Sequence, residues 1–134
     1  MNFSIQYLDS GVVLFTIGGR PSAPEASSAL KETSAAFKSW AYPRCVVFDL
    51  SVEDVKADVR RLVTNWRQEN ARLIPSAVHG AAYVVRSPVV RGVLTALNWV
   101  TGTNIQNTVY VETRAEALRR CEQWSAELMA PTRV

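Results

Sequence analysis

The sequence predicts an α/β domain built on a mixed, mostly parallel sheet of five strands. Strand-like segments alternate with helical segments along most of the chain, and such alternation requires crossover connections between parallel strands. Residues 45–48 are continuously apolar, which is typical of a strand covered on both faces. Two strand-like segments come first with no helix between them, which predicts an antiparallel edge. We therefore expect the order β-β-α-β-α-β-α-β-α in a single domain, residues 1–134.

A β-hairpin opens the chain. Residues 3–8 alternate apolar and polar side chains, as in a strand with one buried face. Asp9-Ser10-Gly11 is a turn signal, and residues 11–17 form a second strand-like run that ends at Gly18-Gly19.

The first helix has a recognisable start and end. Ser22 and Glu25 have the spacing of a capping box, with Pro24 inside the first turn. Tyr42-Pro43 is expected to end the helix. The apolar positions at helical spacing are Ala26, Leu30, Phe37 and Ala41.

A second, long helix follows the buried strand and is expected to close at Ile74-Pro75. Its arginines, Arg67 among them, share the helix with acidic residues, which predicts a solvated face. The next strand is predicted over residues 81–85. The apolar stripe of the helix comprises Val59, Leu62, Val63 and Trp66.

The third and fourth helices also begin with capping signals. Ser87-Pro88 supplies an N-cap and a proline at the first helical position, and Gly102 is expected to end that helix. A short strand is predicted over residues 108–111, and Thr113 with Glu116 forms a second capping box. The inward positions are expected to be Val90, Val93, Leu94, Leu97 and Val100 in the third helix, and Ala117, Leu118, Cys121, Ser125 and Leu128 in the fourth, with Trp124 as a further candidate.

Composition narrows the class of protein. Hydrophobic residues make up 48% of the chain and charged residues 20%, which is ordinary for a folded, water-soluble domain. No apolar run is long enough for a membrane span and no signal peptide is visible, so we expect a cytoplasmic protein. The net charge of +3 is dispersed among acidic residues, and no nucleic-acid-binding motif is present, so we expect no nucleic-acid partner.

The chain contains no recognisable catalytic or metal-binding pattern. Its two cysteines, Cys45 and Cys121, lie in different predicted elements and are expected to be small core residues rather than metal ligands. The single histidine, His79, precedes a strand, whereas Asp49 follows one, so the two should lie at opposite edges of a parallel sheet. We therefore predict a protein that is not an enzyme and uses no cofactor.

The junction between the buried strand and the second helix is the leading candidate site. Loops at the carboxyl ends of parallel strands are where α/β proteins bind ligands and partners. Helix capping and recognition of a protein partner are both open interpretations of its polar residues, and the two are compatible. The candidate partner-binding residues are Asp49, Ser51, Glu53, Asp54 and Asp58.

Two further surfaces are candidates. Arg86, Ser87 and Arg91 surround the start of the third helix and could hold an anion, although an ordinary helix start with solvated arginines has the same pattern. Trp40 or Trp124, if exposed, would mark an interface, and a homodimer is one such arrangement. Trp66 and Trp99 are expected in the core.

Several local patterns, in this order, resemble the STAS family (sulfate transporter and anti-sigma-factor antagonist), and more closely its STAS-like bacterial branch. They cover nearly the whole chain: the hairpin ending in Gly18-Gly19, the strands VVFDLS and AAYVV, the helix SPVVRGVLTALNWV, and the closing VYVETRAEALRRCEQW. The resemblance implies a STAS-like sandwich and a non-enzymatic interaction module in bacterial signalling, with a kinase or another regulator as partner.

In anti-sigma-factor antagonists a serine at the start of the helix after this strand is phosphorylated. The resemblance puts Asp58 at or within one residue of that serine, and the family's Asp-Ser-Ser-Gly pattern is absent. A carboxylate cannot be phosphorylated by a serine kinase, though it carries part of the charge of a phosphate. STAS-like proteins also resemble CRAL-TRIO lipid-binding domains in fold, which implies the alternative of a small apolar ligand between helices and sheet.

Overall fold

A computed structural model describes residues 1–101, Ile105 and residues 107–129 of the 134-residue chain. The strands are β1 (Asn2–Tyr7), β2 (Val13–Gly19), β3 (Arg44–Val52), β4 (Val78–Val85) and β5 (Asn107–Val111). The helices are α1 (Ala23–Ser39), α2 (Ala57–Glu69), α3 (Leu73–Ala77), α4 (Pro88–Thr101) and α5 (Arg114–Met129).

The five strands form one sheet in which the spatial order equals the chain order, β1-β2-β3-β4-β5. β1 is antiparallel to β2, and the remaining pairs are parallel. The predicted fold class is therefore confirmed. Every parallel crossover steps in the same direction across the sheet, and right-handed crossovers then place their helices on one face.

The sheet accordingly has two different faces. Residues of α1 to α4 share one hydrophobic cluster with alternate positions of the strands, and we call this the four-helix face. α5 follows the last strand, folds back across β3 and β4, and forms the second cluster, which we call the α5 face.

The predicted helix starts are confirmed by their hydrogen bonds. In α1 the Ser22 hydroxyl accepts the Glu25 N–H and the Glu25 carboxylate accepts the Ser22 N–H, a complete capping box. The Ser87 hydroxyl accepts the Val90 N–H at 3.4 Å, and the Thr113 hydroxyl accepts the Glu116 N–H at 3.2 Å.

The second helix ends earlier than its sequence predicts. α2 stops at Glu69 and Asn70 caps its end, because the backbone N–H and the side-chain amide of Asn70 both donate to the Trp66 carbonyl, at 3.0 and 2.8 Å. A short helix, α3, follows and contains Pro75 in its first turn, where a missing N–H is tolerated. Pro75 therefore lies within a new short helix instead of closing the long one.

Smaller differences concern the ends of elements. Ala41 was expected on the buried stripe of α1, but the helix ends at Ser39 and Ala41 is exposed. Leu128 of α5 is also exposed, at 38%. Gly18-Gly19 belongs to β2, and His79 lies inside β4 rather than before it. The end of α4 at Gly102 and the side chains of Leu97, Trp99 and Val100 lie outside the residues described.

Candidate functional site

A row of aromatic rings crosses the four-helix face of the sheet. Phe15, Phe48, Tyr83 and Tyr110 occupy matching register positions on β2, β3, β4 and β5. Their ring centroids are separated by 5.2, 5.1 and 5.4 Å along the row. Arg91 of α4 lies over the Tyr110 ring at 5.6 Å from its centroid and ends the row. This pairing across strands has no local sequence signature.

Between the aromatic row and the helices lies an apolar cavity of about 200 Å³. Its floor includes three rings of the row, and its walls come from α1, α2 and α4 and from the segment between β3 and α2. Many wall residues are only half-buried, so the cavity opens toward solvent. The wall residues used below are Phe15, Ala29, Thr33, Phe48, Val52, Val55, Val59, Val63, Trp66, Arg67 and Tyr83.

Few polar side chains line this cavity, and Arg67 is the most unexpected of them. It was predicted on a solvated helix face, but only 9% of it is exposed, so that prediction is wrong. The helical spacing of Val59, Val63 and Arg67 would have indicated the inward position, because residues four apart share a helix face. Thr33 of α1 also lines the cavity and donates its hydroxyl to the Ala29 carbonyl at 2.8 Å.

Tyr83 places a phenol beside Arg67 on the same cavity wall. Both side chains line the cavity and are almost fully buried. Burial raises the pKa of Tyr83, and the neighbouring Arg67 partly opposes this shift. The phenol is therefore protonated at neutral pH and can donate a hydrogen bond.

The predicted partner-binding segment, residues 51–58, runs along the mouth of the cavity. Val52 and Val55 turn toward the cavity, whereas Ser51, Glu53 and Asp54 are exposed. Glu53 is anchored to the end of β2, because its N–H donates to the Gly19 carbonyl at 3.0 Å. Its carboxylate also accepts Arg20 Nε at 2.9 Å in an exposed ion pair. One segment thus contributes to both the cavity wall and the outer surface.

Asp49 and Asp58, the other two predicted partner-binding residues, lie in different surroundings. Asp49 is buried, and its carboxylate accepts Arg114 Nε at 2.7 Å and pairs with Arg86 Nη1 at 3.5 Å. Asp49 therefore connects the residues that follow β4 and β5 at the carboxyl edge of the sheet, and it is not part of the exposed surface. Asp58 is exposed in the first turn of α2 and accepts the Val59 N–H at 2.8 Å, while Lys56 occupies the N-cap without a side-chain bond.

The predicted anion-binding group is already engaged within the protein. Arg86 pairs with Asp49, Ser87 caps α4, and Arg91 lies over Tyr110. Sequence reasoning missed Arg114, which follows β5 and meets Asp49 across the edge of the sheet. The parallel topology could have predicted this contact, because residues that follow parallel strands of one sheet come together at one edge.

Trp124 and Trp40, the two tryptophans that could mark an interface, lie in different surroundings. Trp124 is buried in the α5 face at 8% exposure and so does not mark an interface. Trp40 is half-buried and donates Nε1 to the Tyr7 hydroxyl at 3.1 Å. The Arg44 guanidinium lies 5.0 to 5.9 Å from the ring centroids of Tyr7, Trp40 and Tyr42.

The remaining reactive side chains are dispersed. Cys45 and Cys121 are free and buried in the α5 face, as predicted for core residues. His79 and Asp49 lie toward opposite ends of their paired strands, since Asp49 is level with Val84. Within the described part of the chain, no group of three His, Cys, Asp or Glu side chains is arranged to hold a metal ion.

No protein-family model matches this chain, and no curated protein matches it significantly. The resemblance to STAS-like domains stays a prediction. Among the residues described, no helix combines the length and hydropathy needed to cross a membrane.

Proposed function

We propose that this protein is a non-enzymatic binding domain that holds a small apolar molecule between its sheet and its helices. The cavity of about 200 Å³ is the observation that carries this proposal. Protein interiors are close-packed, and an apolar space of this size lowers stability unless something occupies it. Ligand sites in proteins are typically apolar concave spaces with a few polar groups, and this wall has that character.

The neutral fluorescent dye N-phenyl-1-naphthylamine tests this proposal. The wild-type protein is expected to bind the dye and increase its fluorescence. Ala29→Phe places a ring in the cavity and is expected to weaken dye binding at least tenfold. Ala35→Phe is the matched control, because Ala35 lies on the exposed side of the same helix. Equal binding by both variants would contradict the proposal.

Native mass spectrometry of the freshly purified protein then identifies the natural occupant. A bound small mass is expected in the wild-type protein and in Ala35→Phe. The same mass is expected to be absent from Ala29→Phe. A mass that persists in Ala29→Phe would place the occupant outside the cavity.

A second candidate function is the recognition of a protein partner, such as a kinase or another regulator, in bacterial signalling in the cytosol. Its support is the exposure of Glu53, Asp54 and Asp58 along one segment. Exposed carboxylates that are only weakly engaged within the protein are suited to a basic surface on a partner. Asp49 is left out of this surface because it is buried between two arginines.

The double variant Asp54→Lys with Asp58→Lys tests this second function. It reverses the charge of the segment without touching the core, so the melting temperature should change little. Capture of a cognate regulator in a pull-down is expected to be lost. Glu69→Lys is a control at the far, exposed end of α2 and should capture normally. Normal capture by the double variant would exclude this surface.

A further inference from the structure

The outer edge of β1 carries none of the usual protection against pairing with another strand. β1 is the edge strand of the sheet, so β2 occupies only one of its two sides. Proteins usually shield such an edge with lysine, proline or a β-bulge, because its unpaired N–H and C=O groups attract other strands. β1 has no charged residue and no proline, and its register with β2 is unbroken from Asn2 to Tyr7. This edge is therefore suited to strand addition.

The hydrogen bonds of the hairpin identify the backbone groups of β1 that face outward. The Leu8 N–H donates to the Val12 carbonyl at 3.0 Å, so Leu8 and Val12 are a hydrogen-bonded pair of the hairpin. Hydrogen-bonded and non-hydrogen-bonded pairs alternate along antiparallel strands. The even-numbered residues of β1 therefore bond to β2, and the N–H and C=O groups of Phe3, Ile5 and Tyr7 point to the open edge.

These outward backbone groups are self-complementary about Ile5. When two copies of β1 pair antiparallel with Ile5 opposite Ile5, Phe3 of each copy lies opposite Tyr7 of the other. Each of these pairs exchanges two backbone hydrogen bonds, so every outward N–H and C=O group of the three residues gains a partner. A register shifted by two residues would leave some of these groups unpaired at the strand ends.

The side chains of β1 also match in this register. Phe3 and Ile5 are half-buried against the hydrophobic cluster of the four-helix face, and Tyr7 is 55% exposed. Pairing places the Tyr7 ring of one copy beside the Phe3 ring of the other, and aromatic pairs across strands are stabilising. On the opposite face, exposed Ser4 lies opposite exposed Gln6, so two neutral hydrogen-bonding side chains meet and no like charges are brought together.

We propose that this protein forms a two-fold symmetric dimer in which β1 pairs with β1 of a second copy. The two five-stranded sheets then form one continuous sheet, and each copy closes the open edge of the other. A second copy is the occupant that these observations favour, because both the backbone groups and the side chains of β1 complement themselves. This interface goes beyond the proposed ligand binding and does not depend on it.

Sedimentation equilibrium of two double variants tests this interface. The chain mass is 14.9 kDa, and the wild-type protein is expected to approach twice this mass at about 100 μM, where a dimer of micromolar affinity is formed. Ser4→Lys with Gln6→Lys puts lysines directly opposite each other twice in the dimer and should weaken association roughly tenfold. Ser4→Lys with Gln6→Glu puts opposite charges there and should associate at least as tightly as the wild type.

A charge-matched control separates this surface from general repulsion between two copies. Thr108→Lys with Gln68→Lys adds the same charge at exposed positions of β5 and α2, away from β1, and should associate normally. All four substituted positions are exposed, so thermal melts should match that of the wild type. A monomeric wild-type protein would overturn the proposal. Normal association of the double-lysine variant of β1, or equal weakening of the control, would also overturn it.

Disulfide trapping tests the register of the two strands. Residues of a non-hydrogen-bonded antiparallel pair have Cα atoms about 4.5 Å apart, a separation that a disulfide can span. A mixture of Ser4→Cys protein with Gln6→Cys protein is therefore expected to form a covalent dimer under mild oxidation. Each variant alone should be trapped much more slowly, because identical positions lie farther apart, and the native cysteines are buried. Equal trapping in the mixture and in the single variants would contradict the proposed pairing.

Discussion

The two faces of the sheet are built from the same strands but packed in opposite ways. On the α5 face, one helix lies close against small and medium side chains, and Trp124 sits directly over Gly80. On the four-helix face, several helices meet over large aromatic rings and leave a cavity among them. A well-filled face stabilises the fold, whereas a face with residual space can be used for binding. This contrast underlies the proposal that the four-helix face, and not the α5 face, binds a ligand.

The largest effect should come from removing the tryptophan that fills the α5 face. Trp124→Ala is expected to lower the free energy of unfolding by about 3–5 kcal/mol, because a buried ring is lost and a cavity remains. Trp66→Ala on the four-helix face should cost less, about 1–2 kcal/mol, since Trp66 is half-buried and borders an existing cavity. Urea denaturation measures both values. Equal losses would remove the distinction between the faces.

A pair of glycines tests the same contrast by adding volume instead of removing it. A Cβ on Gly80 would lie 2.5 Å from Cε3 of Trp124, so Gly80→Ala is expected to destabilise the protein by about 1–3 kcal/mol. A Cβ on Gly92 of α4 would meet no atom within 4 Å beyond its own stretch of helix, so Gly92→Ala should stabilise the protein by about 0.5–1 kcal/mol. The measurement is again urea denaturation, and a stabilising Gly80→Ala would show that the α5 face has spare room.

Thiol labelling compares access to the two faces. Burial raises the pKa of Cys45 from 9.0 to about 11 and that of Cys121 to about 12. The native protein should therefore react with a disulfide reagent at pH 8 at least about 100-fold more slowly than the unfolded chain. Val63→Cys, on the cavity wall, is expected to react readily. Fast labelling of the native cysteines would indicate that the α5 face opens easily.

The raised pKa values of the same two thiols predict how the stability of the protein changes at high pH. Their pKa values are raised in the folded protein, so the neutral thiol is favoured by folding. This contribution is complete below pH 9 and is lost as the pH rises from 9 toward about 11 and 12. Replacing both cysteines by alanine should flatten the alkaline part of the stability curve, and an unchanged slope would contradict the assignment.

Acid titration should show the smallest effect, and it concerns a helix of the four-helix face. The pKa of Glu25 is lowered from 4.5 to about 2, first by the hydrogen bond from the Ser22 N–H and then by the terminal ammonium. Because the folded-state pKa is depressed, its contribution is present above pH 4.5 and is lost as the pH falls toward 2. Glu25→Gln should show a shallower loss of stability over this range. A slope equal to that of the wild type would exclude the capping box as the cause.

The order of the elements could be predicted from the sequence because each signal is local. Alternating apolar residues, Ser22 with Glu25, and Ser87 with Pro88 act within a few neighbours, and their predicted elements are present. The end of α2 was not predictable, because the Asn70 side chain and the Pro75 position have competing local interpretations.

The candidate sites were less predictable because they depend on distant pairings. Residues 51–58, at the mouth of the cavity, were identified because they follow the end of a strand. The burial of Asp49, in contrast, depends on Arg114, which is 65 residues away in the chain. The aromatic row depends on the register of four strands. The helical spacing of Arg67 indicated a buried position, but its charge favoured a position on the solvated face of the helix.

The strand order has a consequence for folding during synthesis. Because each new strand of the sheet is laid beside the one made just before it, the growing chain can extend the sheet at a single edge without rearranging finished parts. The four-helix face can thus assemble while the chain is still being made. The α5 face remains uncovered until Arg114–Met129 emerges, since no earlier helix among the described residues packs there. The late arrival of α5 makes this apolar surface the one that a nascent chain exposes longest to aggregation.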